Sequence, residues 1–320
     1  LNHLEKSWVY SQYDSTVMGD TVKEPGHATG IVKLHDSQKV IGASTDCNPL
    51  YIRINPELGM IYTVAEAYRN LIASNIKPMA ITNNLNFASP LDPNIMGEIV
   101  LSVNGLKISA SQLDTPIVSG NVSLYNQTND APINPTPVIG MVGSNSNINK
   151  IVSNKFQSEG DIIISIGENI DPHKSPYFLQ DQEIVEDINL YNELENINLE
   201  DEKITAKILM EISDNNLLQS CNDISRGGIF MTLMKMIQKN YGFNIKASND
   251  FELFCEYKSG YVTTIKENNL KKVFALLDEN KINYEEIGRV VIEEIKINSK
   301  NIDYFDIKDQ YLNNFERIIN

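Results

Sequence analysis

Asp114-Thr-Pro-Ile-Val-Ser-Gly-Asn-Val-Ser-Leu-Tyr-Asn126 runs from a short apolar strand straight into a turn crowded with small oxygen donors. A glycine there lets the main chain approach a ligand closely, while Asn121 and Ser123 offer side-chain oxygens. Alone, the stretch has moderate specificity, because small polar residues fill any turn. Two further stretches repeat the design. Thr45-Asp-Cys-Asn48 ends an apolar strand with an acid, and Asn222-Asp-Ile-Ser-Arg-Gly-Gly228 is a strand-to-helix turn with an acid, a hydroxyl and two glycines. Three such turns in one chain point to nucleotide chemistry.

Around them, residues 39–45, 79–82, 116–119 and 138–142 read as strands, and 57–74 and 94–112 as helices. Strands alternating with helices of this length predict an α/β layer structure. After the polar loop Gly143-Ser-Asn-Ser-Asn-Ile-Asn149, the apolar strand in Gly160-Asp-Ile-Ile-Ile-Ser-Ile-Gly167 opens a second set. It comprises a helix over 204–215, the turn at Asp223, a strand at 261–265, a helix over 270–280, paired strands within 284–297 and an amphipathic tail from 304. The boundary falls at 148–158, giving domains 1–153 and 154–320, and 320 residues suffice for two cores. The acidic run 181–202 reads as a surface helix pair with solvated charge.

A net charge of −15 argues against a nucleic-acid partner, since that affinity comes mostly from Lys and Arg. A bound phosphate would rely on Mg2+ and main-chain amides instead. No apolar run is long enough to span a bilayer, and the first residues lack the apolar core of a signal peptide, so a cytoplasmic location without membrane contact is expected. Cys47, Cys221 and Cys255 are odd in number and lack CxxC spacing, so they are expected to be buried apolar fillers. His3, His27, His35 and His173 show no metal-ligand spacing, and His27 reads as a loop residue rather than a base. No nucleophile triad is evident, so chemistry here would be electrostatic.

On the first long helix, Met60, Val64, Ala67 and Leu71 form one apolar stripe, with Glu66 and Asn70 stacked at its edge. Their oxygens, with Asp46, would suit Mg2+, a hard ion that takes carboxylates, amides and water. Spacing alone favours the plainer alternative, a polar helix edge with Glu66 pairing Arg69. At the third turn, free N–H groups at Gly227-Gly228 would favour an anion, and a helix capped by Asp223 or Ser225 is an equally good local reading. The absence of GxxxxGK excludes a Walker-type loop.

Taken together with Trp8-Val-Tyr-Ser-Gln-Tyr-Asp14, Val64-Ala-Glu-Ala-Tyr-Arg-Asn70, Leu85-Asn-Phe87 and Pro135-Thr-Pro-Val-Ile-Gly-Met141, these stretches closely resemble phosphoribosylformylglycinamidine synthase, the synthetase subunit of the PurL type. The resemblance is to the second of that family's two tandem modules. It implies an α/β (α+β) module like aminoimidazole ribonucleotide synthetase, whose N-terminal domain pairs sheets into a barrel and is followed by a C-terminal α/β domain. The implied activity is that of an ATP-dependent C–N ligase of purine biosynthesis: the formamide of formylglycinamide ribonucleotide is phosphorylated and ammonia from a glutaminase subunit displaces the phosphate. Residue by residue, it implies ATP contacts at Asn83 and Gly120, an Mg2+ ligand at Asn121 and a substrate contact at Ser123. A second set holds a non-turnover nucleotide, ATP or ADP, at Thr45 and Ser225, with Mg2+ on Asp46, Glu66, Asn70 and Asp223. The chain departs from the pattern at Asn83 and Arg226, both Asp in the family. No segment matches the family's catalytic histidines, so no catalytic residue is assigned and the chain alone is expected to be inactive, its partner being the N-terminal module. Isolated, it is expected to form a homodimer. The alternative is a non-catalytic structural half with a vestigial nucleotide site; a selenophosphate synthetase or thiamine-phosphate kinase relative is disfavoured by the residues 119–126 and 12–14.

Overall fold

The computed structural model describes residues 3–129, 131–181 and 194–320. In the first half, the short helix α1 (Ser7–Tyr10) precedes strands β1 (Thr21–Lys23), β2 (Gly30–Lys33) and β3 (Val40–Cys47). Helices α2 (Pro49–Ile54) and α3 (Pro56–Ala73), strand β4 (Lys77–Asn86), helix α4 (Pro93–Gln112) and strand β5 (Ile117–Ser123) follow. A small β6 (Gln127–Thr128) and β7 (Ala131–Pro132) pair precedes β8 (Val138–Asn145). The main sheet has the order β1-β2-β3-β8-β4-β5, antiparallel except for the parallel pair β4–β5 that α4 connects. Helices α2, α3 and α4 each begin at an Asx-Pro pair. The side chains of Asn48, Asn55 and Asp92 accept from the N–H of Tyr51, Leu58 and Asn94, and a proline fills the first helical position, where no donor is missed.

The second half contains β9 (Ile162–Asn169), α5 (Pro176–Asp181), α6 (Leu199–Asp214), β10 (Leu218–Asp223) and α7 (Gly228–Met236). It continues with β11 (Tyr241–Ile245), α8 (Asp250–Phe254), β12 (Tyr257–Ile265), α9 (Leu270–Glu279), β13 (Tyr284–Ile292), β14 (Ile295–Ile297), β15 (Lys300–Ile302) and α10 (Tyr304–Ile319). Its sheet has the order β10-β12-β9-β13-β11-β14-β15. The strands expected to pair within 284–297 do not pair with each other, because β11 lies between them. β11 is a short run whose Gly242 gave no strand signal. That glycine is required by close approach: a Cβ there would stand 2.0 Å from the Glu294 carbonyl oxygen.

Helix α3 joins the halves. It is buried on nearly every side rather than along the one expected stripe, with Tyr62, Ala65, Tyr68 and Arg69 inside as well. One face lies on β3 and β8, another meets α6 and β10, and a single apolar cluster runs from Val64 and Leu71 through Ile164 and Leu209 to Tyr261. Lys23 adds a polar tie, its ammonium donating to Ser74 Oγ (3.1 Å), the Val152 carbonyl (2.6 Å) and Asn154 Oδ1 (2.5 Å). The chain start packs on the far end of the second half: the Glu5 N–H donates to the Tyr311 carbonyl at 3.0 Å, and Trp8 meets Phe315 on α10 with ring centroids 6.4 Å apart.

Of the acidic run 181–202, residues 182–193 lie outside the described residues. Glu202 contradicts the expected solvated charge. It is completely buried and pairs with Arg69, Nη1 to Oε1 2.7 Å, while the Ser259 N–H donates to the same oxygen at 3.0 Å. Arg69 therefore joins α3 to α6 rather than to Glu66. The sheet face of the first half away from α3 is uncovered, with Val118 69% and Val142 41% exposed, and β5 is an open edge. Among the described residues no helix is long and apolar enough to cross a membrane.

Candidate nucleotide and metal site

The ends of β3 and β10 and the middle of α3 meet at one cavity of about 340 Å³, lined by Thr45, Asp46, Glu66, Asn70, Asp223 and Ser225. All six were singled out in the sequence, where they are spread over 181 positions (45 to 225). Asn70 Nδ2 donates to Asp46 Oδ2 at 2.7 Å, and the Ser225 hydroxyl hydrogen-bonds Glu66. Asp223 is 5% exposed, yet its Oδ2 has no hydrogen-bond partner. Burial, then the charges of Glu66 and Asp223, push the Asp46 carboxyl well above the usual range; burial, then Asp223, raises Glu66. Crowded, desolvated carboxylates with an orphaned oxygen are what a divalent cation relieves. Among the described residues, no three His, Cys, Asp or Glu side chains close into a metal cage. An open arrangement suits Mg2+, which keeps several waters and takes one or two protein carboxylates besides phosphate oxygens.

The turn after Asp223 differs from its expected capping. Helix α7 has Gly227 as N-cap, in the left-handed region at φ 84°, with no side-chain cap, so neither Asp223 nor Ser225 serves there. Gly228 follows at φ 62°, and a Cβ on it would lie 2.5 Å from the Leu253 carbonyl oxygen. Arg226 sits 4.3 Å over the Tyr177 ring. His27 is indeed on a loop, but that loop forms part of the cavity wall. Its Nδ1 is buried without a partner, and burial, then Lys23 and Lys155, lower its pKa to about 4. Lys155 and Lys235 line the same wall and carried no signal in the sequence.

The second expected group is elsewhere. Strand register aligns Asp46, Ile139, Asn83 and Gly120 across β3, β8, β4 and β5. Three strand spacings separate the ends of this row by roughly 14 Å. Asn83 and Gly120 are neighbours, the Asn83 amide filling the space a Gly120 Cβ would take (2.6 Å). Alternation puts Asn121 on the opposite sheet face, where its Nδ2 donates to Asn84 Oδ1 at 3.0 Å. Asn121 thus separates from the metal group of Asp46, Glu66, Asn70 and Asp223. Ser123 exchanges hydrogen bonds with the Asn126 side chain on the open edge.

Beyond Glu66 and Ser225 a second cavity is lined by Tyr51, Tyr62, Tyr177, Arg226 and Glu256. Tyr51 OH donates to Glu256 Oε1 at 3.1 Å, and the Ser175 hydroxyl donates to Oε2. Burial raises the Glu256 pKa to about 7. A folded pKa above the unfolded one means that stability is full below about pH 4.5 and falls as pH rises to about 7, a loss of about 3 kcal/mol. Urea unfolding at pH 5 and pH 8 should therefore show Glu256→Gln more stable than wild type at the higher pH, with a flattened pH profile. Cys221 and Cys255 are buried as expected, but Cys47 is exposed at the end of β3, where alternation turns it outward.

Comparison with known proteins agrees with this architecture. Residues 26–144 match the N-terminal domain of AIR synthase related proteins and residues 158–297 their C-terminal domain. The chain belongs to the AIR synthase related proteins. Within them, it is similar to phosphoribosylformylglycinamidine synthase subunit PurL. The Sulfurovum subunit is 33% identical over 100% of this chain and 43% of its own length, and the Pelagibacter ubique subunit 37% over 93% and 41%. The chain thus spans about two-fifths of these curated relatives. Thermotoga maritima PurL, solved with FGAR, shares the fold at TM-score 0.74 and 14% identity, covering 90% of this chain and 49% of that one. Solved with ADP, it superposes at TM-score 0.63 and 19% identity over 89% and 41%.

Proposed function

We propose that this chain is the C-terminal module of phosphoribosylformylglycinamidine synthase, and that its cavity between the halves binds ATP or ADP with Mg2+. The observation that carries the reading is the meeting of Asp46, Glu66, Asn70 and Asp223 at one cavity, with an unpartnered carboxylate oxygen on Asp223. Similarity to PurL subunits over the whole chain supports the synthase assignment. When bound, Mg2+ supplies charge neutralisation to a phosphate chain. The protein's own part would be to hold that ion through one or two of the carboxylates of Asp46, Glu66 and Asp223, with Asn70 orienting Asp46 by its hydrogen bond. Thr45 and Ser225 flank the phosphates.

Near the β5 edge, Asn121 lies on the uncovered sheet face, Asn83 and Gly120 on the opposite one, and Ser123 on the edge strand itself. They are the contribution of this chain to an active site completed by the N-terminal module, which packs on that sheet and removes the open β5 edge. In the assembled synthase, a cytoplasmic enzyme, ammonia arrives from a glutaminase subunit and formylglycinamide ribonucleotide becomes the amidine. Without that module the chain is inactive and covers its sheet by forming a homodimer. Asn83 and Arg226, which replace acids of the family pattern, favour a second reading in which the chain only completes its partner and binds no nucleotide. Mixing the chain with the N-terminal module tests the assignment: ammonia- and formamide-dependent ATP hydrolysis should appear only in the mixture, and a silent mixture of folded, associated modules would refute it.

A further inference from the structure

We propose that Lys155 and Lys235 are the phosphate-binding groups of the cavity that also holds its carboxylates, so that the site favours a diphosphate over a nucleoside monophosphate. The inference rests on the reading of the cavity as a nucleotide and metal site and assigns residues that neither sequence pattern nor family resemblance pointed to.

Two ammonium groups line the wall of one cavity in a chain of net charge −15. Lys155 Nζ donates to the Lys235 carbonyl at 2.6 Å, at the C-terminal end of α7, where the helix dipole favours a cation. That bond anchors the Lys155 ammonium to the last turn of α7, beside Lys235, whose charge acts on it. Neither forms an ion pair within 4.0 Å with a described residue, although Glu5 faces Lys155 and Glu66 faces Lys235 at longer range. Lys23, the next cation, is fully used by its three acceptors and belongs to the scaffold. The unpartnered Nδ1 of His27 adds a neutral polar group beside Lys155. The cavity therefore combines carboxylates that bind a cation with two lysines that have no close ion-pair partner among the described residues. A metal–diphosphate complex satisfies both at once: its ion meets one or two of the carboxylates of Asp46, Glu66 and Asp223, and its outer phosphate oxygens meet the lysines. A monophosphate has no second phosphate to offer the lysines once its own meets the metal.

Calorimetric titration of the full chain at neutral pH with ADP, AMP and Mn2+ tests this. Loss of a charge-assisted hydrogen bond should weaken Mg-ADP binding at least about tenfold in Lys235→Gln, and more in Lys155→Gln/Lys235→Gln. Lys235→Arg should stay within a few-fold of wild type, AMP should bind wild type and Lys235→Gln alike and weakly, and Mn2+ alone should bind all variants equally. If wild type binds Mg-ADP and the double variant binds it as tightly, the lysine wall is wrong and the nucleotide site stands. If wild type binds no nucleotide with either metal, the site reading fails and this inference falls with it.

Discussion

Asp223→Ala should abolish the Mg2+-dependent rise in melting temperature that ADP gives the wild-type chain, and it should do so without unfolding the protein. At a hundredfold excess of ligand over Kd the wild-type gain is about 2.7 kcal/mol, several degrees for a chain of this size. Asp223 is the sharpest choice because its Oδ2 is buried and unpartnered, so no hydrogen bond of that oxygen is lost with it. Removing the carboxylate also takes away a charge that pushes up both Asp46 and Glu66, so the unliganded variant should be no less stable than wild type. Asp46→Ala should lose the ligand response too, but at a cost to the unliganded fold, since Asn70 Nδ2 then loses its acceptor. Differential scanning fluorimetry with ADP, Mg2+ and chelator separates the cases. An Asp223→Ala chain that keeps a full Mg2+-dependent shift would remove the metal from this cavity.

Glu202→Ala should be the most destabilising single change to a charged residue, about 3–5 kcal/mol, because it strands the Arg69 guanidinium in the interior. Burial opposes the charge on Arg69, yet Glu202, and then Glu66, hold its pKa above the ordinary value. With Glu202 removed, no carboxylate among the described residues forms an ion pair with it. Glu211→Ala, on the exposed side of the same helix, should change stability by no more than about 0.5 kcal/mol. Replacing both Arg69 and Glu202 with Met should cost less than Glu202→Ala alone, since a buried pair contributes little net stability but a buried lone charge is expensive. Urea unfolding of the three variants measures this directly. A Glu202→Ala loss near that of Glu211→Ala would mean that water reaches Arg69.

The site was legible to the extent that its chemistry sits at the ends of regular elements. Asp46 and Asp223 close apolar strands, and Glu66 and Asn70 are one helical turn apart on a helix whose apolar residues fix its inward side. The starts of α3 and α4 were one residue late, because Asn55-Pro56 and Asp92-Pro93 are strong local signals, whereas α6 begins five residues before the expected 204. What local pattern cannot report is pairing over long sequence distance. Glu202 looks like every other acid in its run, and only the packing of α6 on α3 gives it Arg69. Lys155 and Lys235 resemble ordinary surface lysines, and β11 is hidden because its central position between β13 and β14 comes from tertiary pairing and from Gly242, which reads as a break. Asn121, which the resemblance assigned to a separate Mg2+, lies strands away from Asp46 on the opposite sheet face.

The most direct test is crystallography of this chain grown with Mn2+ and ADP, using the anomalous signal of the metal. The expected result is a peak bonded to carboxylate oxygens of Asp46, Glu66 or Asp223, bridged to the diphosphate beneath α7. Nucleotide density elsewhere, or a metal touching none of these three side chains, would contradict it.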